Sequence, residues 1–339
     1  MPYETLIDLA AAVALLGLMA YAVLGGADFG GGIWDLFASG PRHAGQRAAI
    51  AHAMGPVWEA NHVWLIFVIV VLFTCFPNGY APLGIALFVP FHLALIGIVL
   101  RGAAFVFRAY ETQGPDGSSG SRWGHVFGIA SVVTPMLLGV VFGVVTEGGV
   151  RIDEAGTVTL RSGPHWLTPY AAGCGMLALS SCAYLAAVYL TVETTGELRE
   201  DFRARAIVAG TSTAALAIGV LALAWSEANW FFRQMISLQA MPVVVAGLAC
   251  FAGSAWAVFG RRYRASRYLA AGEIIFLLLG WGLAQRPYLV YPDMTLQRAA
   301  APAPTIAFLL GSLPVGLMVL LPSLWLLFQV FKATPRASD

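Results

Sequence analysis

The chain has 339 residues, of which 59% are hydrophobic and only 11% are charged. A soluble globular protein has about 25% charged and roughly 45–50% apolar residues, so a single water-soluble core does not account for this composition. The formal net charge is +1, and no basic run points to nucleic acid as a partner. The composition therefore predicts an integral membrane protein.

Nine apolar segments are long enough to cross a bilayer, which takes about 20 residues as a helix. The connections between them are short and polar or rich in glycine and proline, so no soluble domain is expected. The sequence predicts a single all-α transmembrane domain over 1–339, built as two four-helix bundles plus one extra helix. The predicted spans are about 6–37, 57–76, 81–107, 123–146, 166–192, 206–225, 239–259, 268–285 and 305–331.

The distribution of basic residues predicts the orientation of these nine spans. With alternating loops, most of the 19 Lys and Arg residues fall on one side of the membrane. Cytoplasmic loops carry an excess of Lys and Arg, so this side should be cytoplasmic. The prediction is an outside N-terminus and a cytoplasmic C-terminus. The residues on this side are Arg42, Arg47, Arg108, Arg122, Arg199, Arg203, Arg205, Arg261, Arg262, Arg264, Arg267, Lys332 and Arg336.

Five ionisable side chains fall at similar depths within the predicted spans: Asp28, Glu59, His62, Arg101 and Glu273. At ~1.5 Å of rise per residue, all lie within about 13 Å of the cytoplasmic helix ends. Ionisable groups in a membrane are costly and usually functional. One interpretation is a proton-conducting group that opens to the cytoplasm. The other is a structural ion network in which Arg101 neutralises Asp28 or Glu59, and the residues are consistent with both.

Two local patterns accompany these groups. Gly26 and Gly30 flank Asp28 in a small-xxx-small pair, which lets a second helix approach the backbone closely. The second pattern is a polar and aromatic block at the start of the second span. An interfacial tryptophan belt explains its tryptophans but not its acid and amide. The block contains Trp58, Glu59, Asn61, His62 and Trp64.

The histidines and cysteines predict neither a haem nor a metal site in this chain. Two axial histidines must face each other at the same depth. His62, His92 and His125 instead lie about 10, 24 and 4 Å from the cytoplasmic ends of their helices. The four cysteines all lie in apolar stretches and form no CxxC pair.

The segments GGADFGGGIWDLF (25–37) and GPVWEANHVWLI (55–66) resemble the first two helices of subunit II of cytochrome bd-type quinol oxidases. Weaker similarities follow at Arg101, at 195–198 (TGEL) and around Pro287 and Pro292, so the resemblance spans nearly the whole chain. The short loop between helices 6 and 7 resembles the cyanide-insensitive branch of the family.

The resemblance implies a complex in the bacterial cytoplasmic membrane that oxidises quinol and reduces dioxygen to water with cytoplasmic protons. Two b-type haems and one d-type haem would belong to the homologous subunit I. Subunit II would bind no haem, would not be catalytic alone, and would contribute acids to a proton path. Asp28 and Glu59 occupy the acidic motif positions. Some relatives carry a further acid after the helix 3 arginine, where this chain has Val106 and Phe107, which implies a shorter path or none. A structural quinone or a small accessory subunit is compatible with the resemblance.

Two other functions are consistent with buried polar groups in a membrane protein. A secondary transporter would place them at a substrate site between repeated, broken helices, but only the first helix shows such a break. A membrane b-type cytochrome would need the paired histidines that the depths do not provide. An oxidase subunit should co-purify with a haem-rich partner, whereas a cytochrome would show its own Soret absorption.

Overall fold

The computed structural model describes residues 1–54, 58–110, 122–153, 157–160 and 166–332, with the backbone alone at 58–60, 109–110, 327–328 and 330–332. These residues are almost entirely helical. The helices are α1 (Tyr3–Leu36), α2 (His43–Met54), α3 (Trp58–Cys75), α4 (Pro77–Ala86), α5 (Phe88–Tyr110), α6 (Arg122–Thr146), α7 (Pro169–Glu193), α8 (Gly196–Glu227), α9 (Asn229–Met235), α10 (Met241–Phe259), α11 (Tyr263–Gln285), α12 (Leu296–Ala299) and α13 (Ala303–Lys332).

Eight of these helices are long and apolar enough to cross a membrane, and α3 with α4 makes a ninth if the bent pair is one span. Their outer faces carry large exposed apolar side chains, among them Phe308, Met318 and Val319 of α13. So much exposed apolar surface is stable only against lipid or another membrane subunit. The chain is therefore a multi-pass membrane protein, as its composition predicts.

The span predicted over 81–107 differs from the structure at its start. The chain bends by 119° between α3 and α4, and α4 ends at Ala86 before α5 begins at Phe88. Pro90 supplies the physical reason for the second break, because a proline ring clashes with the carbonyl four residues earlier, here that of Ala86. Both stretches are apolar, so hydropathy alone predicted them as one span over 81–107.

Two helices extend into regions that hydropathy assigned to loops. α8 begins at Gly196, ten residues before the predicted span at 206, because its first turns are polar and lie beyond the apolar segment. The short helix α2 was not predicted at all. It buries Gln46, Ile50 and Met54, which recur every four residues and so form one helix face.

The spanning helices pack as two groups of four. In the first group α1 contacts α3 and α6, and α6 contacts α5. In the second group α7 contacts α8 and α11, and α11 contacts α10. α1 and α6 also pack on α7 and so join the groups, while the last helix, α13, lies against α1 and α3.

Two short antiparallel hairpins lie at the end of the bundle where α6 ends and α7 begins. They consist of β1 (Val150–Ile152) with β2 (Val158–Leu160) and β3 (Tyr288–Val290) with β4 (Met294–Thr295). Asp293 joins the hairpins by accepting hydrogen bonds from Arg151 Nε at 2.7 Å and from the backbone N–H of Ile152 at 2.9 Å. These hairpins are too short to change the all-α class of the protein.

Candidate functional site

Asp28 lies on α1 and is only 8% exposed. Asn61 of α3 donates a hydrogen bond from Nδ2 to Asp28 Oδ2. Arg101 of α5 donates from Nη2 to the backbone carbonyl of Asp28 at 2.9 Å. Three helices that are separate in sequence therefore meet at this one residue.

Arg101 is the largest fully buried side chain among the described residues. Its Nε donates to Ser131 Oγ on α6 at 3.1 Å. Its guanidinium carbon lies 5.0 Å from the ring centroid of Phe29 and 4.9 Å from that of Phe127. Cation–π contacts of this kind are strongest where water is excluded. Arg101 therefore ties α1, α5 and α6 together next to Asp28.

His62, the residue after Asn61 on α3, belongs to the same cluster. Its ring centroid lies 6.0 Å from that of Tyr21 and 5.9 Å from that of Phe29, both on α1. Of the predicted site residues, Asp28, Asn61, His62 and Arg101 thus come together.

Trp64 is the remaining residue of the second motif whose side chain the structure describes. Trp64 packs edge-on against Phe67 at 6.2 Å. The side chains of Trp58 and Glu59 lie outside the described residues.

A cavity of about 130 Å³ opens beside Asp28. Asp28 and Asn61 line it, as do Tyr189, Glu193 and Arg267. Glu193 and Arg267 form an ion pair at 3.0 Å and are each about one-third exposed. Because Glu193 ends α7 and Arg267 lies in the second turn of α11, the cavity extends from the buried carboxylate to the end of the bundle.

The walls of this cavity explain why it exists. Ala27 of α1 and Ala186 of α7 are small and leave open space between these helices, while Gly31 lies against Met54 of α2. Met54 and Ile50 of α2 close one side. This wall was not predicted from the sequence, although the four-residue spacing of Ile50 and Met54 is typical of one helix face.

Glu273 lies in a different part of the second helix group. It is buried on α11, and its Oε2 has no hydrogen-bond partner within the described part of the chain. It is close enough to Tyr184 to interact with it electrostatically. Tyr184 in turn donates to Ser254 Oγ at 2.7 Å, and Ser254 donates to the backbone carbonyl of Ser266 at 3.1 Å. Glu273 does not line the Asp28 cavity, so two acids that were predicted at similar depth have different neighbours.

The two predicted packing glycines occupy different environments. A Cβ added at Gly30 would collide with the backbone carbonyl of Cys182 and with Ala186 of α7. A Cβ added at Gly26 would lie 3.6 Å from Cys182 Sγ, which is ordinary van der Waals contact. Close approach of α1 to α7 therefore requires a glycine at position 30.

The described histidines of α5 and α6 are not placed to ligate one haem together. His92 is exposed, and its Nδ1 lies 2.7 Å from the carbonyl of Phe88 near the start of α5. His125 is exposed near the start of α6. α5 and α6 are consecutive helices that pack against each other and run antiparallel. Because both histidines lie near the start of their helix, they lie near opposite ends of the pair. Within the described residues no three His, Cys, Asp or Glu side chains are grouped to hold a metal ion.

Among the described residues, eight apolar helices and the bent α3–α4 pair surround a buried Asp–Asn–Arg cluster, which defines a polytopic membrane protein with a polar core. Residues 6–331 match the family described as cytochrome bd terminal oxidase subunit II, and the chain belongs to this family. It is accordingly a subunit of a quinol oxidase in the bacterial inner membrane. The family's complex contains haem and includes a partner, subunit I.

Relatives with curated names agree with this assignment. The chain is 28% identical to the cytochrome bd ubiquinol oxidase subunit 2 of Bacillus subtilis strain 168, over 70% of this chain and 68% of that protein. It is also 28% identical to the cytochrome bd-I ubiquinol oxidase subunit 2 of Escherichia coli K12, over 58% of this chain and 51% of that protein. The structure of bd oxidase from Geobacillus thermodenitrificans has the same fold, with a TM-score of 0.78 at 24% identity over 96% of this chain and 98% of that chain.

Proposed function

We propose that this chain supports the haem-bearing subunit I and conducts cytoplasmic protons towards the site where dioxygen is reduced to water. The observation that carries the proposal is the cavity that joins buried Asp28 to the Glu193–Arg267 pair at the end of the bundle. Protons consumed inside a membrane protein must cross a low-dielectric region, and buried acids beside a hydrated space are the usual carriers.

The dimensions of the cavity suit this role. Asp28 lies eight residues before the end of α1, or about 12 Å from it along the helix axis. A volume of about 130 Å³ holds roughly four water molecules at ~30 Å³ each. Such a short chain of water would connect bulk solvent at Glu193 with the carboxylate of Asp28. We assign Glu59, two residues before Asn61 on α3, as a second acid of the same path on the strength of the motif.

The proposed direction of uptake depends on the orientation of the chain. The cavity opens at the bundle end that holds Arg42, Arg108 and the arginines of the α10–α11 turn. The excess of positive charge at this end supports a cytoplasmic location and an outside N-terminus.

We further propose that the two b-type haems and the d-type haem of the complex all bind to subunit I. In this chain the His62 ring packs between Tyr21 and Phe29. His92 and His125 are separated by roughly 20 Å along antiparallel α5 and α6 at ~1.5 Å per residue. The chain produced without its partner should therefore give no haem absorption. Stoichiometric haem on the isolated chain would refute this part of the proposal.

The proton path is tested by Asp28→Asn in the assembled complex. The amide keeps the shape and can accept from Asn61 but cannot release a proton at neutral pH. We expect steady-state oxygen consumption with quinol to fall at least about tenfold, which corresponds to ~1.4 kcal/mol of barrier, while the haem spectrum is unchanged.

Glu273→Gln is the matched control, since Glu273 is a membrane acid as buried as Asp28, each being 8% exposed, but lies outside the cavity. We expect this variant to keep the parental rate. Parental turnover by Asp28→Asn would place the path in subunit I. Loss of haem or of assembly by Asp28→Asn would make the acid a structural partner in the Arg101 cluster.

A further inference from the structure

A second cavity, of about 520 Å³, lies at the end of the bundle where α10 turns into α11. Its lining contains four arginines and no acid. It is distinct from the Asp28 cavity, with which it shares no lining residue. The arginines are Arg199, Arg261, Arg262 and Arg264.

Three of these arginines lack a carboxylate partner within the part of the chain that the structure describes. Arg261 is paired with Glu200 at 3.2 Å. Arg199 instead donates to the backbone carbonyl of Thr194 at 2.7 Å and lies over the ring of Tyr263 at 5.1 Å. Arg262 lies over an aromatic ring and Arg264 is exposed. The cavity is therefore a concentration of positive charge that the chain does not neutralise itself.

The backbone of the turn adds to this charge. Arg262 N–H donates to the carbonyl of Ala257 and Arg261 N–H to that of Val258, the pattern of a Schellman motif. Arg261 holds the left-handed position of the motif with φ of 58°. Glycine normally occupies it, because a Cβ disfavours this conformation. The turn thus places the Arg261 side chain at a position where glycine is normally found.

The start of α11 supplies further donors at the same place. The first helical hydrogen bond from this turn is donated by Ser266 to Arg262. The N–H groups of residues 263–265, which line the cavity, precede it and have no acceptor within the helix. These N–H groups therefore favour an anionic ligand, as the arginines do.

The surroundings indicate that the ligand reaches into lipid. Arg262 lies 4.7 Å over the ring of Trp256, and Trp256, Phe259 and Tyr268 are all largely exposed on the outer faces of α10 and α11. Tryptophan and tyrosine favour the level of the lipid headgroups. The cavity therefore lies where a phospholipid would place its phosphate, with apolar side chains below for the acyl chains.

We propose that this cavity binds the phosphate of an anionic phospholipid headgroup. The guanidinium groups of Arg262 and Arg264 would donate paired hydrogen bonds to the phosphate oxygens, and Arg199, held by Tyr263 and the Thr194 carbonyl, would complete the site. Basic pockets between membrane helices are suited to such headgroups. The site is independent of the proton path.

The test uses the assembled, delipidated oxidase complex in detergent and a fluorescent phosphatidylglycerol as the probe. Arg262→Gln with Arg264→Gln removes two charges, each worth about 1 kcal/mol near an anionic headgroup. We expect roughly 10- to 30-fold weaker binding. The matched control is Arg42→Gln with Arg122→Gln, which removes two arginines from the same end of the bundle but none from the cavity. It should bind as the parent does.

Two competitors identify the source of the phosphate. Unlabelled phosphatidylglycerol should displace the probe, whereas phosphatidylcholine and inorganic phosphate at the same concentration should not. Equal displacement by inorganic phosphate would mean a free-anion site and would overturn the lipid assignment. Parental affinity in the cavity variant, or an equal loss in the control, would also overturn it.

The single variant Arg264→Gln keeps the test decisive if the double variant does not assemble. Arg264 is exposed and has no carboxylate partner in the described chain, so its removal should leave the fold intact while weakening binding by roughly fivefold. Unchanged lipid binding together with loss of a partner subunit would show that the cavity is a protein interface instead.

Discussion

At the scale of single residues, Arg101 is the most constrained side chain near the site. A fully buried charge is tolerated only when its donors are used and its surroundings are fixed. In Arg101, Nη2 donates to the Asp28 carbonyl and Nε to Ser131 Oγ, and aromatic rings lie on both sides of the guanidinium. The planar fork of a guanidinium suits this arrangement, which a compact ammonium cannot reproduce.

Arg101→Lys should therefore destabilise the complex although it keeps the charge. Loss of one charge-assisted hydrogen bond costs about 1.5–3 kcal/mol, and the stacking on Phe29 and Phe127 is lost as well. We expect a lower midpoint of thermal inactivation and a lower yield after solubilisation. Arg286→Lys is the control, because Arg286 forms a surface pair with Asp8 and such pairs contribute about 0–1 kcal/mol. Equal stability of the two variants would contradict this role for Arg101.

At the scale of elements, the contact between α1 and α7 holds the two helix groups together and forms one wall of the Asp28 cavity. Gly30 lets the backbones meet, since a methyl group there would strike the Cys182 carbonyl. Gly26 faces the same helix one turn earlier, but a methyl group there would make only an ordinary van der Waals contact.

Gly30→Ala and Gly26→Ala are a matched pair on one helix face. We expect Gly30→Ala to reduce the yield of assembled complex severely, because overpacking against a backbone typically costs about 1–3 kcal/mol or more. Gly26→Ala should assemble normally, and size-exclusion chromatography of the solubilised complex measures both. Similar yields would show that α1 and α7 separate easily and that position 30 needs no glycine.

The two hairpins at the opposite end of the bundle depend on Asp293. Burial alone would raise the pKa of Asp293, but hydrogen bonds from Arg151 and from the N–H of Ile152 outweigh it, so the pKa lies below its usual value. This contribution to stability is fully present above the unfolded pKa of about 3.9 and is lost as the pH falls through the lower folded pKa. Hairpin docking should therefore be constant from about pH 5 to pH 8.

Asp293→Asn removes this carboxylate at every pH. We expect faster amide hydrogen exchange at Arg151 and Ile152 in the variant at neutral pH, with protection factors in the parent unchanged between about pH 5 and pH 8. Asp8→Asn, in a surface pair with Arg286, is the control. Exchange in Asp293→Asn equal to that of the parent would mean that the hairpins are held by other contacts.

At the scale of the whole molecule, the sequence predicted the membrane class and an all-α fold of about nine spans, and the described residues form eight such helices, or nine if α3 and α4 are one span. Depth follows from counting residues along a helix, so Asp28, His62 and Arg101 were expected at one level. Depth does not give the rotation of a helix or its neighbours, which is why Glu273 was grouped with residues from which the structure separates it. The break before Pro90 and the cover formed by α2 were missed because hydropathy averages over about 19 residues.

The most direct test of the proposed proton path is proton uptake during a single turnover. The reduced complex is mixed with oxygen, and a pH indicator reports proton uptake while haem absorption reports oxygen binding. In Asp28→Asn we expect oxygen binding at the parental rate and proton uptake slowed about tenfold or more. Asp28→Glu, which restores an acid in the same cavity, should recover most of the rate. Parental proton uptake in Asp28→Asn would contradict a path through this subunit.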